Sequence, residues 1–438
     1  MSAEIAKRIG VNQDLSKATK IDDIKLVVEK NGNAEAFNAI NVATAYSRLG
    51  RSVREWERGT LDGVEWYLGL ERKAQSLLPE MSSWAVSSLT WALGRTGRDP
   101  DASFWTSLEA KLLDVADELE PQGVANVLWG FAALEHRASP RLRDALEAAA
   151  VKHCRFASKT GGRDDKRGYG QRRDRGRGRL NDANASPGFK PYELTMMFWA
   201  LTRLGDEPGL ELRGLFEAQC GRQLRLLKPQ ELSMVAWSAA AFGSGRWPAD
   251  CAETVARAFG DRATDATPRQ LAKASMAYAK LGTLHPKLMD AVADAVLALE
   301  QPFAASLNPQ DVANLAWSFS KLGCKKKRLF DALSAAFVAH LRDDDDSFSS
   351  QQLTMIVCAF GLLGFKDESM LNAAMGAMSK ERVAEFNPRD LTNTAWALAA
   401  SPMCSRARRA SSRRSSRPRA PRLPPPPPNR WRRKPRRR

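Results

Sequence analysis

Apolar positions in this chain recur with a helical period, and the pattern they make is itself repeated. In Lys228–Gly243 (KPQELSMVAWSAAAFG) and Asn308–Gly323 (NPQDVANLAWSFSKLG) an aliphatic residue stands three places after a Pro. A Trp follows eight places after that Pro, and a Gly six places after the Trp. The same frame fits Glu120–Glu135, Lys190–Gly205, Thr267–Gly282, Ser349–Gly364 and Asn387–Pro402, and more loosely Ser82–Gly97 and Glu35–Gly50. At the Trp slot the anchors are Thr44, Trp91, Trp129, Trp199, Trp237, Met276, Trp317, Cys358 and Trp396. Most neighbouring anchors lie 38 to 41 residues apart, and the one long gap, 70 residues, holds a period plus an insertion. Periods in this range mark stacked helical hairpins.

Each unit predicts two helices. Pro suits the first helical turn, where its missing N–H has no partner to lose. Val312, Trp317 and neighbours such as Phe319 supply an apolar face at helical spacing. The closing Gly provides a left-handed carboxyl cap. A second amphipathic helix follows, with Leu329, Leu333, Phe337 and Leu341 at every fourth place, and Pro100, Pro208, Pro248 and Pro286 mark where such helices begin. No stretch alternates as a strand would. One hairpin cannot bury both faces, so the units must stack. The expected fold is all-α, an α-solenoid of about nine helix–turn–helix repeats. Residues 1–34 read as a partly helical flank, 35–154 as repeats one to three, and 155–187 as a disordered basic insert. Residues 188–402 read as repeats four to nine, the last incomplete, and 403–438 as a disordered Arg/Ser/Pro-rich tail.

Charge changes the picture once it is located. The net charge is +17, yet Ser405–Arg438 alone carries fifteen Lys/Arg and no acid, and Arg155–Arg179 has ten basic residues against three acidic ones. The remainder has a slight acidic excess, so the repeats are not a uniformly basic surface. Arg163–Arg179 has the composition of single-strand-binding Arg/Gly segments. Arg406–Arg419 is an Arg/Ser run, Pro424–Pro428 a polyproline stretch, and Trp431–Arg438 matches a nuclear address. Disordered filler is the bland alternative for each. No apolar run reaches the roughly 18–20 residues of a membrane span, so no membrane insertion is expected. The six cysteines include no C-x-x-C pair, and none of the four histidines stands at ligand spacing to them, so neither zinc nor a disulfide framework is supported. No Walker A loop, G-x-S-x-G, H-E-x-x-H or kinase signature occurs. His136, His153, His285 and His340 fall in different repeats without a nucleophile beside them. The chain is therefore read as a non-enzyme with no catalytic residue, cofactor or metal.

Candidate binding residues come from two slots, three before and four after the Trp, which lie seven apart and project from nearly one helix face. The first holds Asn41, Ser88, Asn126, Met196, Met234, Lys273, Asn314, Met355 and Asn393. The second holds Arg48, Arg95, Ala133, Arg203, Ala241, Lys280, Lys321, Leu362 and Ala400. A repeat that reads bases needs one variable polar group per unit, with cations for phosphates. Asn41, Arg48, Arg95, Asn126, Arg203, Lys273, Lys280, Asn314, Lys321 and Asn393 are the candidates. The structural alternative is that Asn ties neighbouring backbone and Lys/Arg form a solvated face. The Trp slot is assigned to the core, because Met276 and Cys358 can replace it, with base stacking as the alternative. Lys325–Arg328 stands where a helix begins, opposing the macrodipole, and reads as a phosphate contact or a solvated run.

The Pro-Gln-x-Leu-Ala-Asn-x-x-Trp-Ala frame and the opening Phe37–Gly50 (FNAINVATAYSRLG) resemble the octotricopeptide repeat family of organelle proteins. The opening is also similar to the leucine-rich region of FAST-kinase-like mitochondrial proteins. The resemblance spans about Glu35 to Pro402. It implies single-stranded RNA as partner, with other proteins of a ribonucleoprotein complex, and roles in transcript stabilisation, processing, splicing or translation. Many such relatives carry a RAP domain, which is not recognised here. The resemblance also implies a mitochondrion or plastid, although Met1–Lys20 lacks the Arg-rich, acid-poor character of a transit peptide. The basic C-terminal run makes the nucleus the rival address. A TPR- or HEAT-like protein scaffold is the alternative function, favoured by the acidic excess of the repeats.

Overall fold

The structure, a computed structural model, describes residues 3–32, 34–54, 57–160, 188–224, 226–242, 249–344, 346–378 and 380–400. Among them there is no strand. Two compact units divide the chain, residues 1–258 and 259–438. The first contains α1 (Ala3–Lys17), α2 (Ile21–Asn31), α3 (Ala39–Ser52), α4 (Glu65–Leu77), α5 (Ser83–Thr96) and α6 (Ala102–Asp114). It continues with α7 (Pro121–Leu134), α8 (Pro140–Thr160), α9 (Pro191–Leu204), α10 (Leu210–Gln223), α11 (Pro229–Phe242) and α12 (Ala249–Gly260). Odd-numbered helices α1 to α11 pack side by side in one layer, and α2, α4, α6, α8 and α10 form a second layer behind them.

The second unit has the same construction. It holds α13 (Pro268–Leu281), α14 (Pro286–Leu297), the short α15 (Phe303–Ser306), α16 (Pro309–Lys321) and α17 (Lys327–Asp343). These are followed by α18 (Ser350–Leu363), α19 (Glu368–Gly376), the short α20 (Lys380–Ala384) and α21 (Pro388–Ala400). Its first layer is α13, α16, α18 and α21, and its second is α14, α17 and α19. Each unit is thus a helical-repeat stack, and the chain is an α-solenoid protein.

Local chemistry sets the helix ends. Pro121, Pro191, Pro268 and Pro309 each occupy the first turn of a first-layer helix. Asn308 and Thr267 cap α16 and α13 by accepting from backbone N–H groups three residues on. Gly97, Gly205, Gly282, Gly323 and Gly364 sit at positive φ just past α5, α9, α13, α16 and α18. In α7 the same left-handed place is taken by Glu135, with φ 56°. Leu329, Leu333, Phe337 and Leu341 are all buried on α17, as their spacing predicts.

Four sequence expectations are corrected. Residues 3–31, expected to be a partly helical flank, form a further helix pair of the stack, with α1 packed on α3 and α2 on α4. Gly50 does not end its helix: α3 runs on to Ser52, and Gly50 instead gives room to Trp91, whose ring would lie 2.6 Å from a Cβ there. The insert begins later than Arg155, because α8 continues to Thr160, held by buried Cys154 and by an ion pair from Arg155 to Glu211 of α10. Pro100 and Pro208 precede their helices by two residues, whereas Pro286 opens α14. Contact of α7 with α9 and of α8 with α10 keeps the stack continuous across the insertion. Residues 161–187 and 401–438, including the segments expected to be disordered, lie outside the described residues, as does Pro248.

Candidate nucleic-acid interface

Within each unit an inner first-layer helix has neighbours of its own layer on both sides and the second layer behind it, so a single stripe is left uncovered. In α16 that stripe is Gln310, Asn314, Trp317 and Lys321; eight of the other nine residues of the helix are buried. Steps of four, three and four residues add up to almost a whole number of turns, which keeps the four side chains in one line. The equivalent lines are Trp84, Ser88, Trp91 and Arg95 on α5, then Gln122, Asn126, Trp129 and Ala133 on α7. Next come Tyr192, Met196, Trp199 and Arg203 on α9, and Gln230, Met234, Trp237 and Ala241 on α11. The second unit adds Arg269, Lys273, Met276 and Lys280 on α13, and Gln351, Met355, Cys358 and Leu362 on α18. Arg389, Asn393 and Trp396 lie on α21.

The Trp slot belongs to this stripe and not to the core. Trp91, Trp129, Trp199, Trp237, Trp317 and Trp396 are all half-buried, as are Met276 and Cys358. The reason lies in the helical angle: the aliphatic slot five residues earlier is rotated by roughly 140° from the Trp, so the two cannot share a face. In the first unit the rings form a row. Trp91 and Trp129 have centroids 6.4 Å apart, and Trp129 and Trp199 are again 6.4 Å apart with planes within 27°.

The predicted polar residues divide. Asn41 is 1% exposed and wholly structural, donating from Nδ2 to the Arg8 carbonyl at 3.2 Å and accepting at Oδ1 from the Asn38 amide. Asn314 is also buried, and its Oδ1 accepts from Gln310 Nε2 at 2.9 Å. Gln310 Oε1 in turn accepts from Gln352 Nε2 of the next repeat, also at 2.9 Å. Arg95 donates to the carbonyls of Gly50 and Val53 at the end of α3. Arg203 donates to the Ala132 carbonyl and pairs with Glu135 at the end of α7. These guanidinium groups satisfy carbonyls that a helix end leaves without intrahelical partners. Arg58 does the same for Gly94 and Ala133, a role that nothing in its sequence context signals. Asn41 and Asn314 therefore follow the structural alternative for their slot, and Arg95 and Arg203 are tied to backbone carbonyls of the neighbouring repeat.

Arg48, Asn126 and Asn393 are half-buried, and Lys273 and Lys280 are exposed. Partial desolvation of the ammonium lowers the pKa of Lys280, although the residue as a whole is exposed, and of the half-buried Lys321. Arg269 and Lys273 on α13 lie in the field of Asp311 on α16, whose carboxyl is pushed up by burial and only partly pulled back by those cations. The basic run at α17 is engaged by the protein: Lys326 pairs with Asp290 at 2.6 Å, Lys327 with Asp331 at 2.7 Å, and Lys325 lies over the Phe365 ring. His153 and His340 each donate to a carbonyl just before the first helix of their own repeat, Leu119 and Leu307, both at 2.7 Å. His136 stacks on Trp105 and bonds Glu109 at 2.8 Å. Among the described residues no three His, Cys, Asp or Glu gather at metal-binding distance, and no helix is long and apolar enough to cross a membrane.

Sequence reasoning missed the slot directly after the Pro. Gln122, Tyr192, Gln230, Arg269, Gln310 and Arg389 are all exposed there, as are Trp84 and Gln351, which follow a Ser at the equivalent place. Its signal was the same seven-residue step, taken backwards from the Trp.

No family model matches the chain, and no curated protein does. Among solved structures the chain is similar to a homology model of the full-length AP-3 complex in an intermediate open conformation. That likeness has 10% identity, covers 92% of this chain and 81% of the other, and has a TM-score of 0.32. So loose a likeness carries no argument about function.

Proposed function

We propose that the protein binds single-stranded RNA along the exposed stripes of its first-layer helices, with the Arg-rich segments Arg155–Arg179 and Ser405–Arg438 adding sequence-independent phosphate affinity. The observation that carries this reading is the half-exposed Trp on six of the eight first-layer helices from α5 onward, each in line with a planar polar or aromatic group. Rings presented by most of the repeats suit bases splayed from a single strand, and stacking of this kind is worth about 1–3 kcal/mol per base. The resemblance to octotricopeptide repeats supports the same reading and extends it to an organellar protein acting in transcript stabilisation, processing or translation. Titration of the full chain with single-stranded and duplex RNA at two salt concentrations tests it. Single strands should bind at both salts and more tightly than duplex, and replacing Trp129, Trp199 and Trp317 by Ala should weaken binding at least tenfold while the helical signal persists. Failure of single strands to bind at either salt sinks the proposal.

A protein scaffold is the second reading. Met196, Met234, Met355 and Leu362 make several stripes apolar, and methionine-rich surfaces suit peptides or helices. Unchanged RNA affinity in the triple Trp variant would favour it.

A further inference from the structure

The four positions of the stripe are not equivalent, and this bears on how a sequence could be told apart. The second is buried in Asn314 and half-buried in Asn126 and Asn393. The third is half-buried in all eight helices from α5 onward, and the fourth is spent on helix ends in Arg95 and Arg203. The first alone is exposed in every one of these helices among the described residues. Its occupants are four glutamines, two arginines, a tyrosine and a tryptophan. All carry a planar group able to stack on a base or to meet its edge, and no aliphatic or acidic residue intrudes. Amide and guanidinium groups can bond a base edge through two atoms at once, while a phenol or indole stacks with little preference.

Gln310 shows how such a group is prepared. Its amide is held on both sides, Nε2 to Asn314 and Oε1 from Gln352. An amide has two N–H donors and two acceptor lone pairs, so one of each stays available in a fixed orientation. Tyr192, like any phenol with a pKa of about 10 or above, keeps its proton at neutral pH, and so it is a hydrogen-bond donor as well as a ring.

We infer that the first position of the stripe, the residue following the Pro in six of these eight helices, is the specificity-determining position of the repeat, read one base at a time, while the Trp behind it, present in six of the eight, grips any base. The inference rests on the RNA reading above. The test selects bound sequences from a random single-stranded RNA pool with the full chain, then with Q122R and with Q230R. Each substitution should change the preferred base at one position, towards guanine, by about tenfold, the scale of one two-atom contact to a base edge. Asn126→Ala should leave the preferred sequence as it was. Thermal melting confirms that these surface variants fold. An unchanged sequence preference in Q122R and Q230R, with affinity intact, overturns this inference and leaves RNA binding standing. Selection of no sequence above background, with no affinity for the pool, overturns the RNA reading and this inference with it.

Discussion

In α7, Trp129 is half-buried and Phe131, two residues on, is fully buried. The smaller ring should therefore matter more to stability. Phe131→Ala is expected to cost about 3–5 kcal/mol, whereas Trp129→Ala should cost roughly half as much, because part of its surface was never removed from water. Urea unfolding of the two variants checks the order. Asp311 offers a test of sign. Its folded-state pKa lies above the ordinary Asp value, mainly through burial, so folding favours the protonated form. The stability linked to that proton is fully present below the unfolded-state value and is lost as pH rises through the folded-state one. Asp311→Asn should then match the parent at pH 3 and be at least as stable at pH 7, read from urea midpoints. Loss of stability at pH 7 alone would mean that attraction to Arg269 and Lys273 outweighs burial.

Between elements, close approach and end-capping set the stacking distance. A Cβ on Gly130 would stand 2.3 Å from the Thr90 carbonyl oxygen, so α5 and α7 can meet as they do only with glycine there. Gly130→Ala should destabilise by about 2 kcal/mol or more, as overpacking does. Gly214 in α10 has nothing within 4 Å of its Cβ position, and Gly214→Ala should stabilise by about 0.5–1 kcal/mol through helix propensity alone. Thermal melts of the pair separate packing from propensity. Arg203→Ala should remove about 1–2 kcal/mol by taking the guanidinium partner from the Ala132 carbonyl and from Glu135, while Arg58 still serves Ala133. Arg203→Lys should recover only part of this, since one ammonium cannot reproduce the guanidinium fork.

For the molecule as a whole, charge and binding surface are separable. The net charge of +17 resides largely in Arg155–Arg179 and Ser405–Arg438. Deleting residues 161–187 and 405–438 leaves every described helix in place and should weaken all RNAs alike. The slope of log affinity against log salt should shrink by about 0.7 per lost phosphate contact on a single strand. Retention of the preferred sequence after this deletion would locate discrimination in the repeats, and its loss would place it in the arms.

Much of this protein was legible in one dimension. The recurring Pro, Trp and Gly defined both ends of the first-layer helices, because a missing N–H, a capping side chain and a left-handed glycine act within one turn. Periodicity also revealed the second-layer faces, as the buried Leu329–Leu341 series on α17 shows. Local pattern could not say which side of a first-layer helix stays wet. That depends on neighbours about 38 residues away, which cover both flanks and the back and leave one line of four side chains. So Trp317, apolar and recurrent, read as core yet is only half-buried, while Asn41 and Asn314, for which a reading role and a structural one both stood open, are buried. Arg95 and Arg203 were visible as cations, but their partners are carbonyls of the preceding repeat, and backbone acceptors have no signature in a sequence. Composition and short-range geometry settled the helices; packing between repeats decided which residues remain free to meet a ligand.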